Sequence, residues 1–201
     1  MKKNILNKAS EYALGLLQSG LPSYLHYHNL EHTMNVVDAC SQLGYLENLS
    51  EEEQNILLAA AWFHDVGYVY DYRDHEGYSI RTARDFLKGM GLSPLEIKSV
   101  CLCIEATRMP QSPSNRIAMI LCDADMWHLS SINFFCGLKQ LRSEWEVALG
   151  IVFTDREWYG VNRDFLHEHT YFTAHAKDVW QQEKKKNIEE LDRLVSYCCK
   201  K

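Results

Sequence analysis

The chain has 201 residues, a formal net charge of −6 and a hydrophobic content of 46%. A chain of this length buries about 70% of its unfolded surface, so one hydrophobic core is enough to stabilise it. The negative charge argues against a nucleic-acid polymer as partner, because binding a phosphate backbone needs a basic face. A small anionic substrate is still compatible with this composition, because a bound cation would supply local positive charge.

The predicted elements are helices almost throughout. Three helix starts are indicated by residues that pair a capping side chain with a glutamate three positions later. These starts are Ser50–Glu53, Ser93–Glu96 with Pro94 at the first helical position, and Thr154–Glu157. Helix ends are predicted at Gly44, Gly89 and Gly91.

Apolar residues between these signals recur at helical spacing, and no long alternating segment indicates a strand. We therefore predict an all-α fold of about eight or nine helices in a single domain. The domain is expected to span residues 1–201, with a metal-binding core at about 24–130 and C-terminal helices at about 131–200.

The cysteines and the apolar runs favour a cytoplasmic location. The chain has seven cysteines, an odd number, and the spacing of Cys101 and Cys103 matches no common zinc-ribbon pattern. Lys8 and Ser10 interrupt any apolar N-terminal run, so no signal peptide is indicated. The longest apolar run, 57–63, is too short to span a bilayer. We expect no membrane contact, and no pattern predicts the oligomeric state.

Histidines and aspartates interrupt the core-facing stripes of three predicted helices. These residues are His32, the doublet His64–Asp65, and Asp125. Imidazole and carboxylate groups in such places cost several kcal/mol unless they are paired, hydrogen-bonded or metal-bound. One divalent cation would satisfy them all. The alternative is a set of separate core histidines and carboxylate–arginine pairs.

The order of these residues resembles the HD-domain metal-dependent phosphohydrolase superfamily. Further motifs carry the resemblance over most of the chain, to small stand-alone bacterial predicted HD phosphohydrolases. They are the segments 58–68, 75–76, 104–110 and 120–125, and later Trp158, Phe165–Leu166 and 169–173. The resemblance implies an HD-domain helical bundle that hydrolyses a P–O bond of a nucleotide or another small phosphate ester. The alternative function is a catalytically silent module that binds a metal or a nucleotide for regulation.

The ligand types suit one divalent ion of Mn, Fe, Ni, Co or Zn. Dinuclear members of the HD superfamily generally use further histidines between the doublet and the last aspartate, whereas His75 is the single histidine in that interval here. The resemblance therefore implies one tightly bound metal. Asp65 is expected either to accept the proton of the attacking water or to bridge a second, weakly bound Mg. The expected partner is a small phosphorylated substrate, with a nucleotide as the first choice. Asp123 is the alternative to Asp125 as the last ligand.

His28 is the predicted general acid. The run Tyr27–His32 resembles the same run in cyclic nucleotide phosphodiesterases, distant HD relatives in which the second residue protonates the leaving oxygen and the last binds metal. A helix that begins early enough would place His28 one turn before His32, facing the same cavity. Alternatively, Asn29 is the N-cap and His28 is merely exposed.

Three other polar residues are candidates for supporting the ligands or binding substrate. His75 and Glu76 resemble a recurrent pair in small HD hydrolases, although a polar helix start explains them equally well. Arg108, beside the Pro-containing loop, is a candidate for binding phosphate through two hydrogen bonds, oriented by Glu105. The remaining histidines are expected to pack or to lie at the surface. They are His26, His128, His167, His169 and His175.

Overall fold

The computed structural model describes residues 1–198, which form nine α-helices and no strand. The helices are α1 (Lys3–Gly20), α2 (Leu30–Leu46), α3 (Glu51–Phe63), α4 (His75–Gly89), α5 (Pro94–Thr107), α6 (Arg116–Asp125), α7 (Phe134–Ala148), α8 (Asp155–Glu168) and α9 (Gln181–Cys198). Short 3₁₀ turns lie at Val66–Val69 and Met126–Ser130, and a π-turn at Ala176–Trp180 precedes α9. The predicted all-α single domain of eight or nine helices is confirmed.

The predicted helix starts follow from local hydrogen bonding. Ser50, Ser93 and Thr154 each accept a hydrogen bond from the backbone N–H three residues on, and the glutamate at that position bonds back to the cap. Each reciprocal pair satisfies two backbone donors that a helix N-terminus leaves unpaired. These three predicted starts are confirmed.

The glycine signals have a mixed outcome. Gly89 ends α4, and Gly91 follows in the left-handed region with φ +77°. The predicted stop at Gly44 is wrong, because α2 continues to Leu46. A Cβ atom at Gly44 would lie 1.9 Å from Oε1 of Gln54. This glycine therefore lets α3 pack closely against α2.

Two hydrophobic clusters organise the bundle. The first is built from α1 to α6 and runs in sequence from Met1 to Ala124. The second is centred on α7, α8 and α9, from Leu129 to Leu191. The change of cluster falls near the expected end of the metal-binding core, although the boundaries of 24–130 and 131–200 stay predictions. Within residues 1–198, no helix has both the length and the apolar character that a membrane span requires.

Candidate metal centre and adjoining cavity

Four predicted ligand residues meet where α2, α3 and α6 converge. Nε2 of His32 lies 3.4 Å from Oδ2 of Asp65 and 3.3 Å from Oδ1 of Asp125, and Nε2 of His64 lies 3.3 Å from the same Oδ2 of Asp65. One ligand atom each from His32, His64 and Asp125 lies within 4.8 Å of the other two. These three side chains thus have the spacing of ligands to a single cation, and Oδ2 of Asp65 lies beside the two histidines.

Three nitrogen and oxygen atoms of this cluster lack hydrogen-bond partners within residues 1–198. Nε2 of His32, Nε2 of His64 and Oδ2 of Asp65 are buried and have no hydrogen-bond partner among the described residues. Buried polar atoms without partners are costly, and three of them in contact with one another are rare. A divalent cation would compensate all three at once. Two imidazoles with two carboxylates also form a donor set that suits first-row transition metals.

Local structure orients the ligands. Asn29 caps α2 by accepting the backbone N–H of His32, which fixes the first turn of that helix. Nδ1 of His64 donates to the carbonyl oxygen of Ala61 at 2.7 Å. This bond favours the tautomer with the proton on Nδ1, in which the neutral ring has a free lone pair on Nε2.

The charges of the cluster also favour a cation. Burial acts to lower the pKa of His64, but the carboxylates of Asp65 and Asp125 raise it to about 9. Burial acts to raise the pKa of Asp65, but His64 and His32 hold it far below its usual range. A metal ligand must be a neutral imidazole, so a cation bound at this cluster would displace a proton from His64.

The two neighbouring aspartates, Asp123 and Asp125, contact different partners. The carboxylate of Asp123 is fully buried and accepts three hydrogen bonds, from the backbone N–H groups of Phe172 and Thr173 at 2.8 Å and from Oγ1 of Thr173 at 2.7 Å. It thereby anchors the segment after α8. The structure brings Asp125, and not Asp123, to the histidines, and the assignment of Asp125 as the last ligand stays a prediction.

His28 reaches the cavity by a route that differs from the sequence expectation. Asn29 is the N-cap of α2, so His28 precedes the helix and the expected placement within its first turn is wrong. The alternative of an exposed His28 is wrong as well, since its side chain is 19% exposed and its ring centroid lies 5.6 Å from that of His32. The reason is Glu144, whose Oε2 accepts the backbone N–H groups of Tyr27 and His28, each at 3.0 Å.

Glu144 is the main residue that the sequence analysis missed. It lies on α7, fully buried, with Oε1 at 2.5 Å from Nδ1 of His28 and at 2.9 Å from the hydroxyl group of Tyr72, which donates to it. Burial acts to lower the pKa of His28, but the hydrogen bond and the charge of Glu144 raise it above its ordinary value. The pair therefore favours the protonated form of the imidazole at the cavity wall.

His75 and Glu76 form the polar start of a helix and also lie beside the cluster, as the two expectations from the sequence describe. They begin α4, and Nε2 of His75 also lies 3.8 Å from Oδ1 of Asp65 and 3.5 Å from Oε1 of Glu76. The ring of Tyr68 stacks on His75 at a centroid distance of 3.9 Å and on His28 at 4.6 Å. A tyrosine thus contacts both histidine rings and helps to hold them beside the cluster.

The structure does not bring Arg108 to the cavity. Its guanidinium group lies 3.2 Å from Asp74 and 3.3 Å from each of Glu76 and Glu105. The guanidinium group that was expected to bind phosphate is therefore already paired with three carboxylates. The arginine in the cavity wall is Arg73, whose guanidinium group has no hydrogen bond or ion pair within residues 1–198.

A cavity of about 530 Å³ opens from the cluster, with Asp65, Asp125 and His28 in its wall. His128, expected to pack or to lie at the surface, also lines it. Nδ1 of His128 donates to the carbonyl oxygen of Asp125 at 3.2 Å. Burial lowers its pKa to about 4, so it is neutral. Helices α7 and α8 form another part of the wall.

Comparisons with known proteins agree with this architecture. The HD domain family model matches residues 29–128. The fold is similar to the crystal structure of a predicted HD superfamily hydrolase from an uncultured Thermotogales bacterium, with a TM-score of 0.62, 18% sequence identity and coverage of 93% of this chain and 91% of that chain. A search of curated proteins found no match. Residues 29–128 of this chain are therefore an HD domain.

Proposed function

We propose that the protein is a metal-dependent phosphohydrolase that cleaves a P–O bond of a small phosphate ester, a class that includes nucleotides. The observation that carries the proposal is that buried ligand atoms without hydrogen-bond partners lie next to a hydrogen-bonded histidine–glutamate pair. Buried ligand atoms without hydrogen-bond partners belong to His32, His64 and Asp65, and the hydrogen-bonded pair of His28 and Glu144 lies beside them.

The cation would be held by the four clustered residues, which are His32, His64, Asp65 and Asp125. A divalent Mn, Fe, Ni, Co or Zn ion supplies Lewis acidity to a phosphate oxygen and lowers the pKa of a bound water. Asp65 is placed either to take the proton that the attacking water loses or, with His75 at 3.8 Å, to bind a second, weaker Mg.

His28 supplies the proton for the departing alcohol. As the bond from phosphorus to the leaving oxygen breaks, the proton passes from His28 to that oxygen, which otherwise leaves as an unstable alkoxide. Glu144 holds the ring through Nδ1 and stabilises its charged form. Glu144 also accepts hydrogen bonds from the backbone N–H groups of Tyr27 and His28. The ring therefore has little freedom to turn away.

Arg73 is the group that we assign to binding the phosphate. Its free guanidinium group at the cavity wall can present two parallel N–H donors to phosphate oxygens. Arg108 has a different proposed part, which is to hold Glu76 beside His75 through the contact of 3.3 Å.

A metal-supplemented substrate screen tests the proposed function. Protein stripped of metal is reloaded with Mn²⁺ or Co²⁺ and offered nucleotides, sugar phosphates and alkyl phosphates, while released phosphate and pyrophosphate are measured. We expect metal-dependent release from at least one ester. Metal binding without release from any ester would reject hydrolysis and favour the regulatory alternative.

A further inference from the structure

The wall of the cavity differs sharply between its two ends. At the cluster end the wall carries histidines and carboxylates, whereas from Phe134 to Phe165 none of the described lining residues is charged. Six apolar side chains from α7, α8 and the turn between them form most of this second part. They are Phe134, Leu138, Leu141, Leu149, Val161 and Phe165.

The few polar groups in this part are already bonded within the protein. Nδ2 of Asn162 donates to the carbonyl oxygen of Trp158 at 2.8 Å. The indole of Trp145 is hydrogen-bonded to the hydroxyl group of Tyr72. A nucleobase presents several donors and acceptors, and in such a wall most of them would lose water without gaining a partner. The apolar end therefore favours a group that needs no hydrogen bonds.

We propose that the substrate is a phosphate ester of an apolar alcohol, with its phosphate at the metal cluster and its hydrocarbon group between α7 and α8. This inference rests on the proposed function. A volume of about 530 Å³ accommodates a flexible hydrocarbon group of roughly eight to twelve carbon atoms together with the phosphate. Hydrolysis adds water across the P–O bond and releases the alcohol and inorganic phosphate.

The hydrocarbon group would also explain the general acid. The oxygen of an aliphatic alcohol is a poor leaving group, so its departure depends on the proton that His28 holds. Because α7 carries both Glu144, which orients His28, and part of the apolar wall, one helix fixes the acid and the binding site for the alcohol.

Binding of alkylphosphonates tests the inference without turnover, because their P–C bond resists hydrolysis. The metal-loaded protein is titrated calorimetrically with butyl-, hexyl-, octyl- and decylphosphonate and with adenosine monophosphate. We expect Kd to fall by about threefold for each added methylene until the cavity is full, and adenosine monophosphate to bind more weakly than octylphosphonate. Equal Kd values for butyl- and octylphosphonate would overturn the proposal.

Two exposed valines provide a matched pair of variants. Val161 lines the cavity and is 45% exposed, whereas Val147 lies on α7 outside the cavity and is 60% exposed. Neither substitution disturbs a buried position, so both variants are expected to fold. Val161→Asp should abolish most of the gain in affinity with chain length, and Val147→Asp should leave it intact. Equal effects of the two variants would contradict the assigned wall.

The same chain lengths offered as alkyl phosphates separate this inference from the proposed function. Phosphate release that does not depend on chain length would reject the apolar substrate and leave hydrolysis standing. Affinity for phosphonates that rises with chain length, with no phosphate released from any ester, would reject hydrolysis and keep the apolar site. We expect both the rise in affinity and a parallel rise in kcat/KM.

Discussion

The two hydrophobic clusters of the molecule contribute to the site in different ways. Helices α2 and α6 and the turn that follows α3 supply the side chains proposed to hold the metal. Helix α7 of the second cluster supplies no metal ligand. It contributes Glu144, which bonds His28, and part of the apolar wall. Under the proposed function, the first region would determine metal affinity and the second would determine acid catalysis and substrate choice, so substitutions in each region should change different measurements.

The largest effect is expected at the last ligand of the first region. Asp125→Asn should lower metal affinity by about a hundredfold or more, beyond what outer-sphere substitutions typically cost, and should reduce hydrolysis to background. Metal content by mass spectrometry and phosphate release measure these two losses. Asp123→Asn is the matched control. It weakens hydrogen bonds to Phe172 and Thr173, so it should lower the free energy of unfolding by about 2 kcal/mol while the metal is retained. The reverse order of metal loss would show that the two aspartates are exchanged.

Substitution of His28 tests whether this residue acts in the chemical step and not in metal binding. His28→Asn should reduce turnover of alkyl esters by about a hundred- to ten-thousandfold with metal content unchanged, since it removes the proton donor. The loss should shrink for nitrophenyl phosphate, whose leaving group needs no proton. Equal losses on both kinds of ester would mean that His28 positions the substrate instead. Loss of the metal would make His28 a ligand.

Glu144 tests whether the second region controls the acid. Glu144→Gln should lower kcat by about ten- to a hundredfold, with the metal retained, because the imidazolium loses its charged partner. In the native protein Glu144 raises the pKa of His28, so the acid form is present at low pH and is lost as the pH rises through that raised pKa. The variant should therefore lose activity at lower pH than the native protein. An alkaline limb of the pH–kcat profile at the same position in both proteins would contradict the role of Glu144.

The two arginines provide the smallest expected effect. Arg73→Gln should raise KM by about tenfold with kcat little changed, because it removes a charge-assisted contact to phosphate. Arg108→Gln, which alters the contacts of Asp74, Glu76 and Glu105, should leave KM within about twofold of the native value. Steady-state kinetics on one alkyl phosphate are sufficient. A larger rise in KM for Arg108→Gln would restore the assignment made from the sequence.

The sequence predicted those features that leave a local signal. The capping residues Ser50, Ser93 and Thr154 fix helix starts through bonds within four residues. Polar side chains on apolar stripes, together with the order of His32, His64–Asp65 and Asp125, indicated which residues converge. These signals are local or depend on chain order, and packing did not alter them.

Features that depend on distant partners were not predictable in the same way. Glu144 lies on an apolar stripe of α7, three residues after Leu141, but its partner His28 is 116 residues away. The direction of a guanidinium group depends on which carboxylates fold around it, so the sequence could not distinguish Arg108 from Arg73. The stop predicted at Gly44 failed because α2 continues to Leu46, and the glycine lies inside the helix against the side chain of Gln54.

The dependence of hydrolysis on bound metal tests the central claim most directly. Wild-type protein is stripped with a chelator and titrated with Mn²⁺ while phosphate release from octyl phosphate and bound metal are measured together. We predict no release without metal and a rise that saturates at about one equivalent per chain, because one cluster holds one tightly bound cation. Full activity in the stripped protein, or a saturated metal site with no release from octyl phosphate or any other ester, would contradict the account.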